Sequence, residues 1–248
     1  MKNRPARADN YEIFNNRDPR LYETIRVQKR GLQWRGSNTT EIWPGGRSQK
    51  DVNGNYPHGM GNVKWVLNHE SDGQRARLYS WPILRMGGFH LIYAEALAET
   101  GNMQAACDQI NIVRDRVGLG KIESFIPAVL TDKDVMIKEI IRERACELGY
   151  EDTRFMDMVR RKLKDDFTKT LHGLYTYRVD GKQGSADVYP DLWYDRRIVA
   201  GQPRKWWTNW DDKWYLCAFP RSEINKGWGL IQNPGWDSSA TEEEEEEE

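Results

Sequence analysis

Trp81-Pro82-Ile83-Leu84-Arg85 leads into Tyr93-Ala94-Glu95-Ala96-Leu97-Ala98-Glu99-Thr100-Gly101-Asn102, and a second periodic run then closes at Gly118. Apolar or small residues recur at Ile83, Gly87, Leu91, Ala94 and Ala98, a spacing of three to four that draws one stripe down a helix. Gly101-Asn102 stops that helix. A second stripe, Ala106, Ile110, Val113 and Val117, ends at Gly118, a residue free to take the left-handed conformation that closes helices. The stretch therefore predicts two antiparallel helices.

This hairpin resembles a tetratricopeptide unit, in which small residues let two helices approach and a turn glycine separates them. Ala94, Gly101 and Ala106 stand at the small places, and Leu97, Ile110 and Val113 at the larger packing places. His90 stands where that repeat usually has Trp.

Outward from the hairpin, Thr131 followed by Asp134 is a capping-box signal. Ile137, Ile141, Ala145 and Leu148 then predict a third helix, and a short fourth runs from about Thr153 to Lys162. Upstream, residues 17–80 are rich in Gly, Asn and Trp, with apolar alternations such as Leu21-Tyr22-Glu23-Thr24-Ile25 that suggest brief strands or extended loops. From Leu163 to Tyr215 no period holds, which suggests a long insertion. The expected fold class is mainly α: tetratricopeptide-like helical hairpins with long irregular loops and a few short strands. The expected divisions are a polar segment 1–16, a loop-rich region 17–80, helices over 81–163, an insertion with a closing segment over 164–236, and a disordered acidic tail 237–248.

Four separate blocks resemble the SusD/RagB family in order and spacing. They are Asn16-Arg17-Asp18-Pro19-Arg20, the hairpin, the run from Glu139 through Glu143-Arg144, Glu147-Leu148 and Arg154-Phe155-Met156-Asp157, and the closing Gln232-Asn233-Pro234-Gly235-Trp236. The sequence departs from the family pattern at Asp152, which replaces a usual Gly, and at Arg161-Lys162, where Arg-Trp is common. Members of that family are outer-membrane lipoproteins of Bacteroidetes that bind glycans, or sometimes peptides, and cover a TonB-dependent, SusC-like transporter. The resemblance implies a surface glycan-binding subunit of such an importer, serving polysaccharide utilisation. Its alternatives are a tetratricopeptide-like module docking on the transporter, or a peptide-binding RagB-like subunit. It covers residues 16–236, the C-terminal half of such a protein, so a lipid anchor is expected on an N-terminal part outside this sequence.

Composition excludes other classes. The chain has 37 basic and 38 acidic residues, and without the seven glutamates of Glu242–Glu248 the balance is about +6. The basic residues are scattered rather than striped, unlike a nucleic-acid footprint. No apolar run approaches the roughly 20 residues that cross a bilayer. Cys107, Cys146 and Cys217 are odd in number and far apart, which reads as isolated thiols, and the four histidines show no ligand spacing. No metal or cofactor is expected.

Eleven tryptophans in 248 residues carry the binding chemistry. An indole offers a rigid apolar plane with one N–H donor, which suits the C–H face and hydroxyl rim of a sugar. Most tryptophans in proteins simply pack, and Trp81 and Gln232 to Trp236 are read that way. Trp34 and Trp43 are the favoured ligand residues, because they flank the polar loop Arg35-Gly36-Ser37-Asn38-Thr39-Thr40-Glu41, and the resemblance places part of the family's ligand platform in this region. Asn38, Arg47 and Trp65 join them. A second patch, Trp206, Trp207 and Trp210, is open to three readings: a glycan site, internal packing or a transporter interface. Glu143, Glu147, Glu151 and Asp157 alternate with Arg144, Arg154 and Arg160, so they are expected to join helix to helix and not to cleave a glycosidic bond. No catalytic residue is assigned.

Overall fold

The computed structural model of the chain describes residues 11–25, 41–46, 62, 64, 82–198 and 210–236. It falls into two compact units, residues 1–154 with 172–198, and residues 155–171 with 199–248.

The hairpin forms as read. Helix α1 (Pro19–Thr24) precedes α2 (Met86–Glu99) and α3 (Met103–Asp115). Gly101 takes φ +83°, and the amides of Asn102 and Gly101 bond back to the carbonyls of Leu97 and Ala98, a Schellman closure. The same pattern recurs at Gly118, with Leu119 bonding back to Arg114. After the short α4 (Ile122–Phe125), α5 (Lys133–Glu147) packs on the pair. Leu91, Ala94, Ala98, Ala106, Ile110 and Ile140 are fully buried at the centre of this three-helix core. The alanines let the helices approach, and the branched side chains fill the remaining volume.

Three expectations are corrected here. Asp132, not Thr131, caps α5, accepting from the amides of Asp134 at 2.9 Å and Val135 at 3.1 Å, while Thr131 closes the preceding turn. Ile141 and Leu148 are buried as expected, but the buried face of α5 also carries Met136, Ile140, Glu143 and Glu147, while the expected Ile137 and Ala145 are only half-buried. Its lower half is carboxylate, so hydrophobicity alone misplaced it. Ile83 is 96% exposed and precedes α2, which starts at Met86.

Leu21 to Thr24 lie in a helix and not a strand. Asp18 accepts from the Arg20 amide at 3.0 Å, and Pro19, with its φ preset for a helix, occupies the first turn. The expected short fourth helix is α6 (Thr153–Arg160), whereas the run from Leu163, expected to be irregular, contains α7 (Lys164–Thr168) and an antiparallel pair, β1 (His172–Arg178) and β2 (Leu192–Ile198). One face of that pair carries Leu174, Thr176, Leu192 and Tyr194, of which Leu174, Leu192 and Tyr194 join Phe14 and Trp43 in a second small core. The opposite face carries Tyr175, Tyr177 and Trp193, with the Arg197 guanidinium 5.4 Å from both tyrosine rings. Of the thiols, Cys107 is buried, Cys146 half-buried and Cys217 exposed, and all are free.

In the second unit, Trp210 stacks on Phe167 at 4.8 Å and meets Tyr215 edge-on at 4.9 Å. Trp236 donates from Nε1 to the carbonyls of Lys213 and Leu216, which fastens the closing segment. No helix among the described residues is long and apolar enough to cross a membrane.

Candidate functional site

Asp18 sets the site by a local device. Its carboxylate caps α1 and also takes Nε of Arg20 at 2.9 Å and Nη2 at 2.6 Å, which holds that guanidinium in one orientation. Arg20 is thereby aimed at α5, where it meets Glu143 at 2.7 Å and Glu147 at 3.1 Å. Both glutamates are almost wholly buried. Arg114 pairs with the other oxygen of Glu143 at 3.0 Å, and Arg85 and Arg116 converge on Glu147.

The C-terminus of α5 is closed by cations, which suit the negative end of a helix. Lys64 donates to the carbonyls of Glu147 at 3.1 Å and Gly149 at 2.8 Å, and Arg85 donates to the Glu147 carbonyl at 2.5 Å. Glu151 returns to the same group, pairing with Lys64 at 2.5 Å and Arg85 at 2.8 Å. Burial alone would raise the pKa values of Glu147 and Glu151. The bonds from Arg85, with Arg20 and Lys64 behind, outweigh it and hold both below the ordinary carboxylate value of 4.5. A carboxylate so held is a poor proton donor, and its partners fix it in place. These residues join elements distant in sequence, where the alternation of signs had suggested pairing between the two consecutive helices.

Beside this network opens a cleft of about 810 Å³. Phe14, Leu21 and Ile25 form one side, the end of α5 with Cys146 and Tyr150 a second, and Leu174 and Tyr194 of the strand pair a third. Tyr150 is 55% exposed and sits at φ +61°, a conformation that costs a residue with a Cβ roughly 1–2 kcal/mol. That turn lets Glu151 reach back to Arg85. Arg17 and Arg196 add two charged groups to the lining. In size and lining, apolar with few polar groups, this is the usual make-up of a small-molecule site.

Trp43 has a different place from the one expected. It is 0% exposed, donates from Nε1 to the Gly184 carbonyl at 2.8 Å and meets Tyr189 edge-on at 5.5 Å. An enclosed indole offers no plane to a sugar, so Trp43 is a packing residue that fastens 41–46 to the loop between the strands. Trp210 takes part in the aromatic packing around Phe167, and its indole N–H donates to Asp212 at 2.8 Å. Trp34, Asn38, Arg47, Trp65, Trp206 and Trp207 lie outside the described residues. Sequence does not single out the cleft residues: Arg17 lies in the Asp-Pro-Arg block, Tyr150 in the run that follows Glu139, and Tyr194 and Arg196 inside the insertion.

The described architecture is thus a helical-hairpin scaffold with a cleft lined by apolar residues and arginines. The SusD family model matches residues 4–236, and the chain belongs to that family. Among solved structures, a SusD-like protein from Bacteroides fragilis matches with a TM-score of 0.63 and 26% identity, over 90% of this chain and 40% of its own length. The chain thus spans less than half the length of that relative. No curated protein matches it.

Proposed function

We propose that this chain is a non-enzymatic glycan-binding component of a TonB-dependent, SusC/SusD-type nutrient importer, exposed at the outer membrane, and that oligosaccharide occupies the cleft beside Arg20. The cleft carries the proposal: family membership supplies the class of function, and exposed Tyr150 supplies an aromatic face beside a largely apolar space of ligand size. The ion network beneath it supplies rigidity, since a site held by fixed groups loses little freedom on binding. In the same proposal Trp34 and Trp65 add stacking planes, and Asn38 and Arg47 hydrogen bonds. Calorimetry of the chain with a panel of oligosaccharides tests it. Binding that weakens in Tyr150→Ala and in Trp34→Ala, each with an unchanged unfolding midpoint, is expected. Failure to bind any member of the panel would refute it.

One observation favours a second function, docking on the transporter or on a peptide. Along and just before α2, Ile83, Leu84, Met86, Phe89 and Tyr93 are each at least half exposed, an apolar strip of the sort that partners cover. Retention of a purified SusC-like transporter by a chain that binds no glycan would support it over the first.

A further inference from the structure

We propose that the cleft selects a carboxylate-bearing saccharide, a uronic-acid oligomer, whose acid group is held between Arg17 and Arg196. The proposal rests on the glycan-binding reading above and narrows its substrate class.

Arg20, Arg85, Arg114, Arg116, Arg178 and Arg197 each pair with a carboxylate. Among the described residues Arg17 and Arg196 do not. Arg17 spends Nε on the Ile13 carbonyl at 2.8 Å, which fixes its stem and leaves the forked Nη1/Nη2 end uncommitted. Among the described residues Arg196 meets the His172 ring, Nη2 lying 3.4 Å from Nδ1. Among the described residues no carboxylate pairs with either, yet both are exposed and both line the same cleft. The one acidic residue in that lining, Asp18, is already bound to Arg20 and capping α1. The lining therefore carries two uncompensated positive charges.

Position strengthens the case. Arg17 stands at the entry to α1, and Arg196 sits on β2 directly across from Leu174, so two elements distant in sequence each contribute an arginine to the lining of one cleft. Guanidinium forks match the planar, two-oxygen geometry of a carboxylate better than they match a hydroxyl. Much of the rest of the wall is apolar, and Tyr150, 55% exposed, offers an aromatic face to the C–H face of a pyranose ring. Acid group and ring faces occur together on a uronate. An acidic peptide offers the charge without a regular set of ring faces, so the saccharide is preferred.

Calorimetry with the full chain tests this with three probes: an oligogalacturonate, the neutral oligogalactan obtained from it by carboxyl reduction, and a glutamate oligopeptide. The expected result is binding of the oligogalacturonate at least about tenfold tighter than of its reduced form, with the difference abolished in the Arg17→Gln/Arg196→Gln double variant. Equal affinity for the two sugars would overturn the acid preference while leaving glycan binding standing. Binding of neither sugar would overturn both. Peptide binding as tight as that of the oligogalacturonate would overturn the saccharide assignment, and an acid preference that persists in the double variant would overturn the assignment to these arginines. The comparison of the two sugars on the unaltered chain decides the preference even if the double variant fails to fold.

Discussion

Arg20 and Glu147 are separated by 127 positions in the chain and meet at 3.1 Å in the interior, with Glu143 beside them at 2.7 Å. This contact ties the Asp18-Pro19-Arg20 block to the end of the third long helix, and so gives a physical reason for two of the sequence blocks to occur together. Removing Arg20 as Arg20→Ala leaves two buried carboxylates short of a partner, an arrangement that costs about 3–5 kcal/mol. Arg116 also pairs with Glu147, but its side chain is 57% exposed, and Arg116→Ala is expected to cost under about 1 kcal/mol. Denaturant unfolding of the two variants side by side checks the ordering, and equal losses would contradict it.

The same network sets the response to acid. Burial opposes ionisation of Asp18, Glu147 and Glu151, but their bonds to Arg20, Arg85 and Lys64 prevail and leave all three below their ordinary values of 3.8 and 4.5. A depressed folded-state pKa adds stability above the ordinary value, and that stability is lost as pH falls through the folded value. The unfolding midpoint is therefore expected to hold down to about pH 5 and to drop progressively below about pH 4.5. A midpoint that rises on acidification through that window would contradict the assignment.

Trp43 provides the clearest separation between packing and binding. Fully buried and bonded to Gly184, it is expected to cost about 3–5 kcal/mol as Trp43→Ala, read from the unfolding midpoint. A variant with unchanged stability and weakened sugar binding would restore the ligand role that its loop position suggested.

The hairpin was legible because its signals are local: the spacing of Leu91, Ala94 and Ala98 and the positive-φ glycines 101 and 118 are all visible along the chain. Elements set by distant partners were not. The buried stripe of α5 ends in Glu143 and Glu147, whose burial makes sense only once Arg20 and Arg114 arrive from elsewhere. The alternation Leu174-Tyr175-Thr176-Tyr177 was a strand signal present in the sequence, but its partner strand lies beyond a long turn-rich loop and the two were not joined. The cleft was hidden for the same reason, since its walls come from three regions. Tryptophan count suggested stacking chemistry, yet it did not distinguish an enclosed indole such as Trp43 from one with an open face.

Tyr150 allows ligand contact to be varied without a large penalty to the fold. Replacing it by Gly relieves a left-handed backbone strain of roughly 1–2 kcal/mol and costs roughly 0.5–1 kcal/mol in chain entropy. Stability of Tyr150→Gly is thus expected to stay within about 1 kcal/mol of the parent, while affinity for oligosaccharide falls about 2- to 10-fold with the lost aromatic face. Unchanged affinity would remove Tyr150 from the site.

Hydrogen–deuterium exchange of the chain, with and without saturating oligosaccharide, tests the cleft most directly, because it reports on all three walls in one measurement. Residues 13–25, 145–150 and 192–198 are predicted to gain protection together on sugar binding. Sugar that binds while these three segments exchange at their unliganded rates would contradict the assignment.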